Sequence, residues 1–302
     1  MHRVIQTSKL EIAYFEMGQT GGLPVVLLHG WPSDVHDWDD VAPALAANGF
    51  RVLVPWLRGF GPTRFLSAQT PRSGQQAALG RDLREFLDGL NLEGAVLVGY
   101  DWGGHAACVV AALWPQRVRG LVSITGYNIQ NIARAARPDL ALQEYRFWYQ
   151  WYFQIERGRT GLKRNRRDIA HLLWRLWSPN WQFDDKSFAE TAVSFENPDF
   201  VEVTIHSYRH RYGNAAGDPA LDEFERQLAA QPQITVPAIV LHGACDGVTP
   251  PDRSADDRRH FTGHYERRVI PIAGHFLSRE KPEVVVGAVR YLADLTATST
   301  SR

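Results

Sequence analysis

Three residues able to act as nucleophile, acid or base follow directly on short apolar runs. They are Asp101 in VGYDWGGHAA (98–107), Asp246 in CDGVTPP (245–251) and His275 in IAGHFL (272–277). Two carboxylates and an imidazole suffice for a two-step hydrolysis at an sp3 carbon. One carboxylate attacks a carbon bearing a leaving group and becomes an alkyl ester of the protein. The imidazole then deprotonates a water that cleaves this ester at its carbonyl carbon, while the second carboxylate orients the imidazole and stabilises its charged form. Singly, each residue has a plainer explanation: a helix N-cap for Asp101, a turn aspartate for Asp246, a buried and satisfied histidine for His275. Their order along the chain and their shared placement after strands favour chemistry.

That placement requires a parallel sheet, because ligands in open α/β sheets bind beyond the carboxyl ends of the strands. Strand-like runs occur at 10–16, 23–30, 51–56, 95–100 and 119–125, with helical patterns at 37–47, 74–90 and 102–113 between them. The alternation stops after Gly126. From 128 to 230 the sequence reads as helices and loops dense in aromatics, and strands resume at 236–243 and 266–272, with helices near 251–260 and at 282–296. A doubly wound, mostly parallel sheet of 1–127 and 231–302, interrupted by a helical insertion at 128–230, is the expectation. The tail TATSTSR is expected to fray. Gly99, Gly103 and Gly104 around Asp101 supply the small residues that a sharp strand-to-helix turn needs where two backbones approach.

Composition narrows the function. The chain has 302 residues, with 33 Lys+Arg against 33 Asp+Glu, so no global charge points to nucleic acid or an anionic membrane. Two cysteines, Cys108 and Cys245, do not make a disulfide framework and fit a reducing compartment. The first residues lack the apolar core of a signal peptide, and no run approaches the roughly 18 apolar residues of a membrane span. A cytoplasmic enzyme with a small-molecule substrate is expected, as a monomer or a homodimer. His206 and His210 stand four apart on a presumed helix, but no carboxylate or cysteine partner accompanies them, so no metal is expected. The basic run LKRNRRD (162–168) reads as a solvated helix face. Arg58 and Arg64 read as braces for the loop after the third strand.

With these residues in place, the chain resembles the epoxide hydrolase branch of the α/β-hydrolase superfamily, with haloalkane dehalogenases as near relatives. The resemblance spans essentially the whole chain and rests on HGWP (29–32), GYDWGG (99–104), CDGVTPP and AGHF (273–276). Two stretches of the insertion also match, WYQWYFQ (148–154) and HSYRHRYG (206–213). It implies an α/β-hydrolase fold with a helical cap and cofactor-free hydrolysis of an epoxide to a vicinal diol. Asp101 is then the nucleophile, His275 the base and Asp246 its partner. Backbone N–H groups of Trp31 and Trp102 form the oxyanion hole, and a cis bond before Pro32 aims the first of them inward.

The leaving group separates the two activities. An epoxide oxygen needs proton donors, and by motif these are the phenols of Tyr149 and Tyr208, with Tyr152 and Tyr212 as alternatives one helical turn away. Trp31, Trp102, Tyr152 and Phe153 are expected to line the substrate site, which suits an apolar or aromatic epoxide. Dehalogenases carry HGNP at the first motif, and Trp31 stands where their halide-binding asparagine would be. Fluoroacetate-type enzymes place arginine after the nucleophile, where this chain has Trp102. A haloalkane or haloacid dehalogenase with the same triad is the first alternative, and a non-catalytic binding protein on a hydrolase fold is the second. Tyr145, Tyr149, Tyr152 and Phe153 also share one helical face, so packing alone would explain most of them. Two features depart from the common pattern: Trp56–Leu57 replaces an aspartate before Arg58, and Tyr100 replaces a histidine before Asp101.

Overall fold

The structure, a computed structural model, describes residues 2–299. Nine strands are present among them: β1 (Arg3–Gln6), β2 (Leu10–Gly18), β3 (Pro24–Leu28), β4 (Arg51–Pro55), β5 (Arg64–Phe65), β6 (Ala95–Tyr100), β7 (Val118–Ile124), β8 (Ala238–Gly243) and β9 (Tyr265–Ile270). They form one sheet in the order β1-β2-β4-β3-β6-β7-β8-β9, with β5 on β2. Pairings among β1, β2, β4 and β5 are antiparallel, and β4-β3-β6-β7-β8-β9 is parallel throughout. Every residue of β6 and β8 is buried, which is why AVLVGY and AIVLHG read as unbroken apolar runs rather than alternating ones.

The helices are α1 (Val41–Ala47), α2 (Gln76–Gly89), α3 (Asp101–Leu113), α4 (Ala141–Arg146), α5 (Trp148–Tyr152), α6 (Glu156–Trp177), α7 (Asp185–Ala192), α8 (Phe200–Arg211), α9 (Asp222–Ala229), α10 (Leu277–Glu280) and α11 (Pro282–Ser299). Helices α1 and α11 pack together on the strands, as do α2 and α3. Between β7 and β8 the described residues hold helices α4–α9 and no strand. No helix among the described residues is long and apolar enough to cross a membrane.

Several local expectations change. The helix expected at 37–47 begins as a 3-10 turn (Val35–Trp38) and resumes at Val41. Pro43 has no N–H to return to residue 39, so one continuous helix cannot run through it. The helix expected near 251–260 is two 3-10 turns, Pro251–Ser254 and Asp257–His260, because its charged sequence offers no apolar stripe to bury. The aromatic stretch of the insertion is broken at Phe147 into α4 and α5, and Tyr145 is 69% exposed instead of sharing the packed face. Helix α11 continues through the first part of the tail to Ser299, and 300–302 lie outside the described residues.

The turn from β6 into α3 sets the position of the site. A Cβ on Gly103 would stand 2.2 Å from the Leu28 carbonyl oxygen and 2.6 Å from that of His29, both backbone of β3 and its loop. One on Gly99 would stand 2.4 Å from the Gly103 carbonyl oxygen. Gly103→Ala should therefore lower stability by about 1–3 kcal/mol. Gly21→Ala, whose Cβ meets nothing within 4 Å, should stay within about 0.5 kcal/mol of the parent. Thermal unfolding of the two variants checks this, and equal melting temperatures would mean that α3 does not depend on close approach to β3.

Candidate active site

Asp101 ends the turn with φ 49°, a left-handed conformation that an aspartate tolerates better than most side chains and that lifts it out of the strand line. It is also the first residue of α3, where the helix dipole favours negative charge. Its Oδ1 accepts the Trp31 backbone N–H at 2.7 Å, and the Trp31–Pro32 peptide is cis. The Trp102 amide belongs to the first turn of α3, whose N–H groups have no carbonyl acceptor within the helix. One backbone donor, the Trp31 N–H, therefore holds the Asp101 carboxylate, and the Trp102 N–H follows it in the chain without a helical acceptor.

On the adjoining loops, His275 Nδ1 and Asp246 Oδ2 are 2.8 Å apart, both residues buried. The other oxygen of Asp246 accepts the Val248 and Thr249 N–H groups at 2.9 and 2.7 Å, which fixes the carboxylate plane. His275 Nε2 has no protein partner among the described residues, so it is the nitrogen able to take a proton. Burial works against the imidazolium, yet the charges of Asp246, Asp101 and Glu280 outweigh it and hold the pKa above the ordinary histidine value.

Three supports were invisible in the local sequence. The Trp177 carbonyl at the end of α6 accepts N–H groups from both His275 (3.2 Å) and Gly247 (2.9 Å), so the insertion clamps both loops of the pair. Glu280 accepts from the Gly274 N–H and from Ser178 Oγ (2.7 Å), and Ser178 Oγ in turn accepts from the Phe276 N–H at 3.0 Å. Tyr100, the departure before the nucleophile, donates to Asp37 at 2.5 Å and sets its ring edge-on to His275 at 5.5 Å. Asp37 also accepts from Ser33 and Arg279, making a buried brace behind the turn.

Above Asp101 lies an aromatic cluster centred on Trp31. Its ring stacks on Tyr149 (5.5 Å, 15°) and meets Tyr208 and Phe153 edge-on at 5.3 and 5.8 Å. Tyr149 and Tyr208 are 2% and 1% exposed, and their rings lie 5.4 Å apart. Trp177 links the cluster to His275 at 5.0 Å, and Trp102 reaches Tyr208 at 6.2 Å. Burial first, and then the Asp101 charge among other groups, raises the pKa of both phenols, so both stay protonated near neutrality.

Not every expected residue joins this cluster. The Tyr152 hydroxyl lies against Gly161 of α6, where a Cβ would come within 2.0 Å of it, and its ring meets Phe153 at 5.9 Å. Tyr212 donates to Gln150 Oε1 at 2.7 Å and packs on Trp151. His206 has backbone partners at both ring nitrogens, the Gly74 N–H and the Ala216 carbonyl. A cleft of about 1050 Å³ lined in part by Phe147, Trp151 and Tyr212 contains none of Asp101, Asp246 and His275. Arg58 grips Asp82 of α2 through two bonds of 2.6 and 2.7 Å, whereas Arg64 donates to carbonyls of its own loop. Trp56 donates to Ser194 of the insertion at 3.1 Å, a tie that an aspartate there could not make.

The sign of the His275 shift gives a pH prediction. An imidazole acting as base must be neutral, so water activation is lost as pH falls through a pKa lying above the usual histidine value. Asp246→Asn removes the strongest attraction on the imidazolium and should move that limb to lower pH. It should also cut turnover on the order of 10,000-fold, through loss of the correct tautomer. A pH–rate profile checks both effects, and an unmoved limb would mean that another group titrates.

The α/β hydrolase fold profile matches residues 24–282. A candidate epoxide hydrolase from Klebsiella pneumoniae, known from its crystal structure, is 46% identical over 96% of each chain, with a TM-score of 0.94. Epoxide hydrolase A of Mycobacterium tuberculosis is 27% identical over 97% of each sequence. A haloalkane dehalogenase variant from Bradyrhizobium elkanii, 23% identical over 100% of this chain and 99% of its own, shares the fold with a TM-score of 0.78. The geometry of the Asp101 turn, the parallel sheet beneath it and this match over most of the length place the chain in the α/β-hydrolase fold family.

Proposed function

We propose that the chain is an epoxide hydrolase that converts an apolar or aromatic epoxide to a vicinal diol without a cofactor. One observation carries the reading: two buried phenols, Tyr149 and Tyr208, converge with Trp31 above the Asp101 carboxylate. Gln150 Nε2 donates to the Tyr149 oxygen at 2.8 Å, which leaves the phenol proton free for another acceptor. The names of the Klebsiella and Mycobacterium relatives support the same activity.

In the first step an Asp101 oxygen attacks an epoxide carbon from the side opposite the C–O bond. That bond breaks, its electron pair stays on the oxygen, and a tyrosine proton converts the nascent alkoxide to a hydroxyl. In the second step His275 Nε2 takes a proton from water, and the hydroxide adds to the ester carbonyl. The Trp31 and Trp102 N–H groups hold the resulting oxyanion. The acyl C–O bond then breaks, and the two protons of the consumed water end on the leaving alkoxide and on the phenolate. Asp246 keeps the imidazole oriented throughout. Phe153 and the Trp31 and Trp102 rings contribute the apolar surface for the substrate.

This reading divides the chain into a core of 1–127 and 231–302 and a cap of 128–230, with the tyrosines on the cap and the triad on the core. A cytoplasmic location is supported by two unpaired cysteines, Cys108 buried and Cys245 half-buried. The exposed Leu140, Leu142, Tyr145 and Ile155 are apolar surface that a homodimer could cover. The dehalogenase reading draws on the Trp102 indole N–H, buried and without a hydrogen-bond partner among the described residues, which could hold a halide. A halide leaves without a proton whereas an epoxide oxygen needs one, so two converging phenols match the epoxide better.

Tyr149→Phe and Tyr208→Phe should each slow alkylation by an aryl epoxide about 10- to 100-fold, and together about 100- to 10,000-fold. Single-turnover kinetics checks this. Unchanged alkylation in both variants would remove the phenols from the mechanism, and faster halide release from haloalkanes than diol formation would make the protein a dehalogenase.

A further inference from the structure

A guanidinium stands behind both tyrosines. Arg211, the last residue of α8, places its Cζ 5.2 Å from the centre of the Tyr208 ring. Its Nη1 donates to Gln150 Oε1 at 3.3 Å, and its Nη2 lies 3.3 Å from His105 Nε2. No ion pair holds Arg211 among the described residues, and its buried Nε has no hydrogen-bond partner. His105 does not share the cationic role: burial, then the charge of Arg211, brings its pKa down to about 4, so it is a neutral acceptor near pH 7.

The chain of bonds has one direction. Arg211 and the Tyr212 hydroxyl both donate to Gln150 Oε1, and a guanidinium can only donate, so the amide nitrogen of Gln150 must point toward Tyr149. Tyr149 therefore accepts at its oxygen and directs its own proton elsewhere. We infer that Arg211 is a positioning residue for epoxide opening, orienting Tyr149 through Gln150 and polarising Tyr208 through its ring. The inference rests on the phenols being the oxygen donors. When the ring opens, negative charge leaves Asp101 and arrives at the oxygen held by these two phenols, on the side where Arg211 stands. A cation over a phenol face and a donor on a phenol oxygen both make the O–H a better donor to that charge. Burial raises both phenol pKa values, and Arg211 opposes the rise at Tyr149 and at Tyr208.

The test separates alkylation from ester hydrolysis in single turnovers with styrene oxide, using quenched-flow mass measurement of the alkyl-enzyme. Arg211→Met keeps the stem and removes the charge, and should slow alkylation on the order of 10-fold while leaving ester hydrolysis within about twofold. Arg211→Lys restores the charge without the fork and should alkylate faster than Arg211→Met. Gln150→Glu gains an ion pair with Arg211 but loses its donor to Tyr149 and should capture the phenol proton, slowing alkylation at least as much. Equal slowing of both steps in Arg211→Met, a lysine variant no faster than the methionine one, or a Gln150→Glu variant as fast as the parent would overturn the inference. Tyr149→Phe and Tyr208→Phe run alongside distinguish its failure from that of the donors: if they slow alkylation and Arg211→Met does not, Arg211 alone loses its role.

Discussion

A carboxylate held at φ 49° between a buried strand and a helix is the constraint around which the sheet and its loops are arranged. A side chain in left-handed backbone persists only where its surroundings over-determine it. Here Gly99 and Gly103 allow α3 to lie against β3 and β6, and the Trp31 amide takes one carboxylate oxygen. Tyr100, the residue before Asp101, donates its hydroxyl to Asp37, which Arg279 and Ser33 hold in place. The nucleophile is thereby fixed by main-chain packing on one side and by a buried charged network on the other.

The insertion contributes more than a cover. Through the Trp177 carbonyl it touches the backbone of the His275 loop and the Asp246 loop at once, and through Ser178 it reaches Phe276 and Glu280. The same element carries Trp177, whose ring lies between His275 and Tyr149. Helix α6 thus connects the half of the site that would activate water with the half that would receive the leaving oxygen. Negative charge moves between those halves in the proposed reaction. At the start it sits on Asp101, where it raises the His275 pKa; in the ester it is gone, so the imidazole meets water with a weaker hold on its proton than in the free enzyme.

Much of this was legible in the amino-acid sequence because it is written locally. Fully buried parallel strands leave continuous apolar runs, and β3, β6 and β8 appear in the sequence as such runs. The order of Asp101, Asp246 and His275 after strand ends is readable for the same reason. Strand β1, by contrast, is short and largely exposed at a sheet edge, so RVIQ carries no apolar signal. Tyr145, Tyr149 and Tyr152 fall on one helical face by periodicity; the break at Phe147 parts Tyr145 from the other two, and space at Gly161 takes the Tyr152 hydroxyl, neither visible in a repeat pattern. Trp177 acts through its carbonyl on the distant Gly247 and His275 amides, and Glu280 through the Gly274 N–H and the distant Ser178 hydroxyl, and nothing in LSREKP or WRLWSP announces them. Gln150 and Arg211 are legible only once the direction of each hydrogen bond is known.

The most direct measurement is intact mass on a His275→Gln variant incubated with an aryl epoxide. With the base removed, the ester should accumulate, and the protein should gain the whole mass of the epoxide, a gain that disappears when Asp101→Asn is added. A gain that survives Asp101→Asn would put the nucleophile elsewhere. No gain from epoxides, with haloalkanes adding their mass less hydrogen halide, would contradict epoxide opening at Asp101.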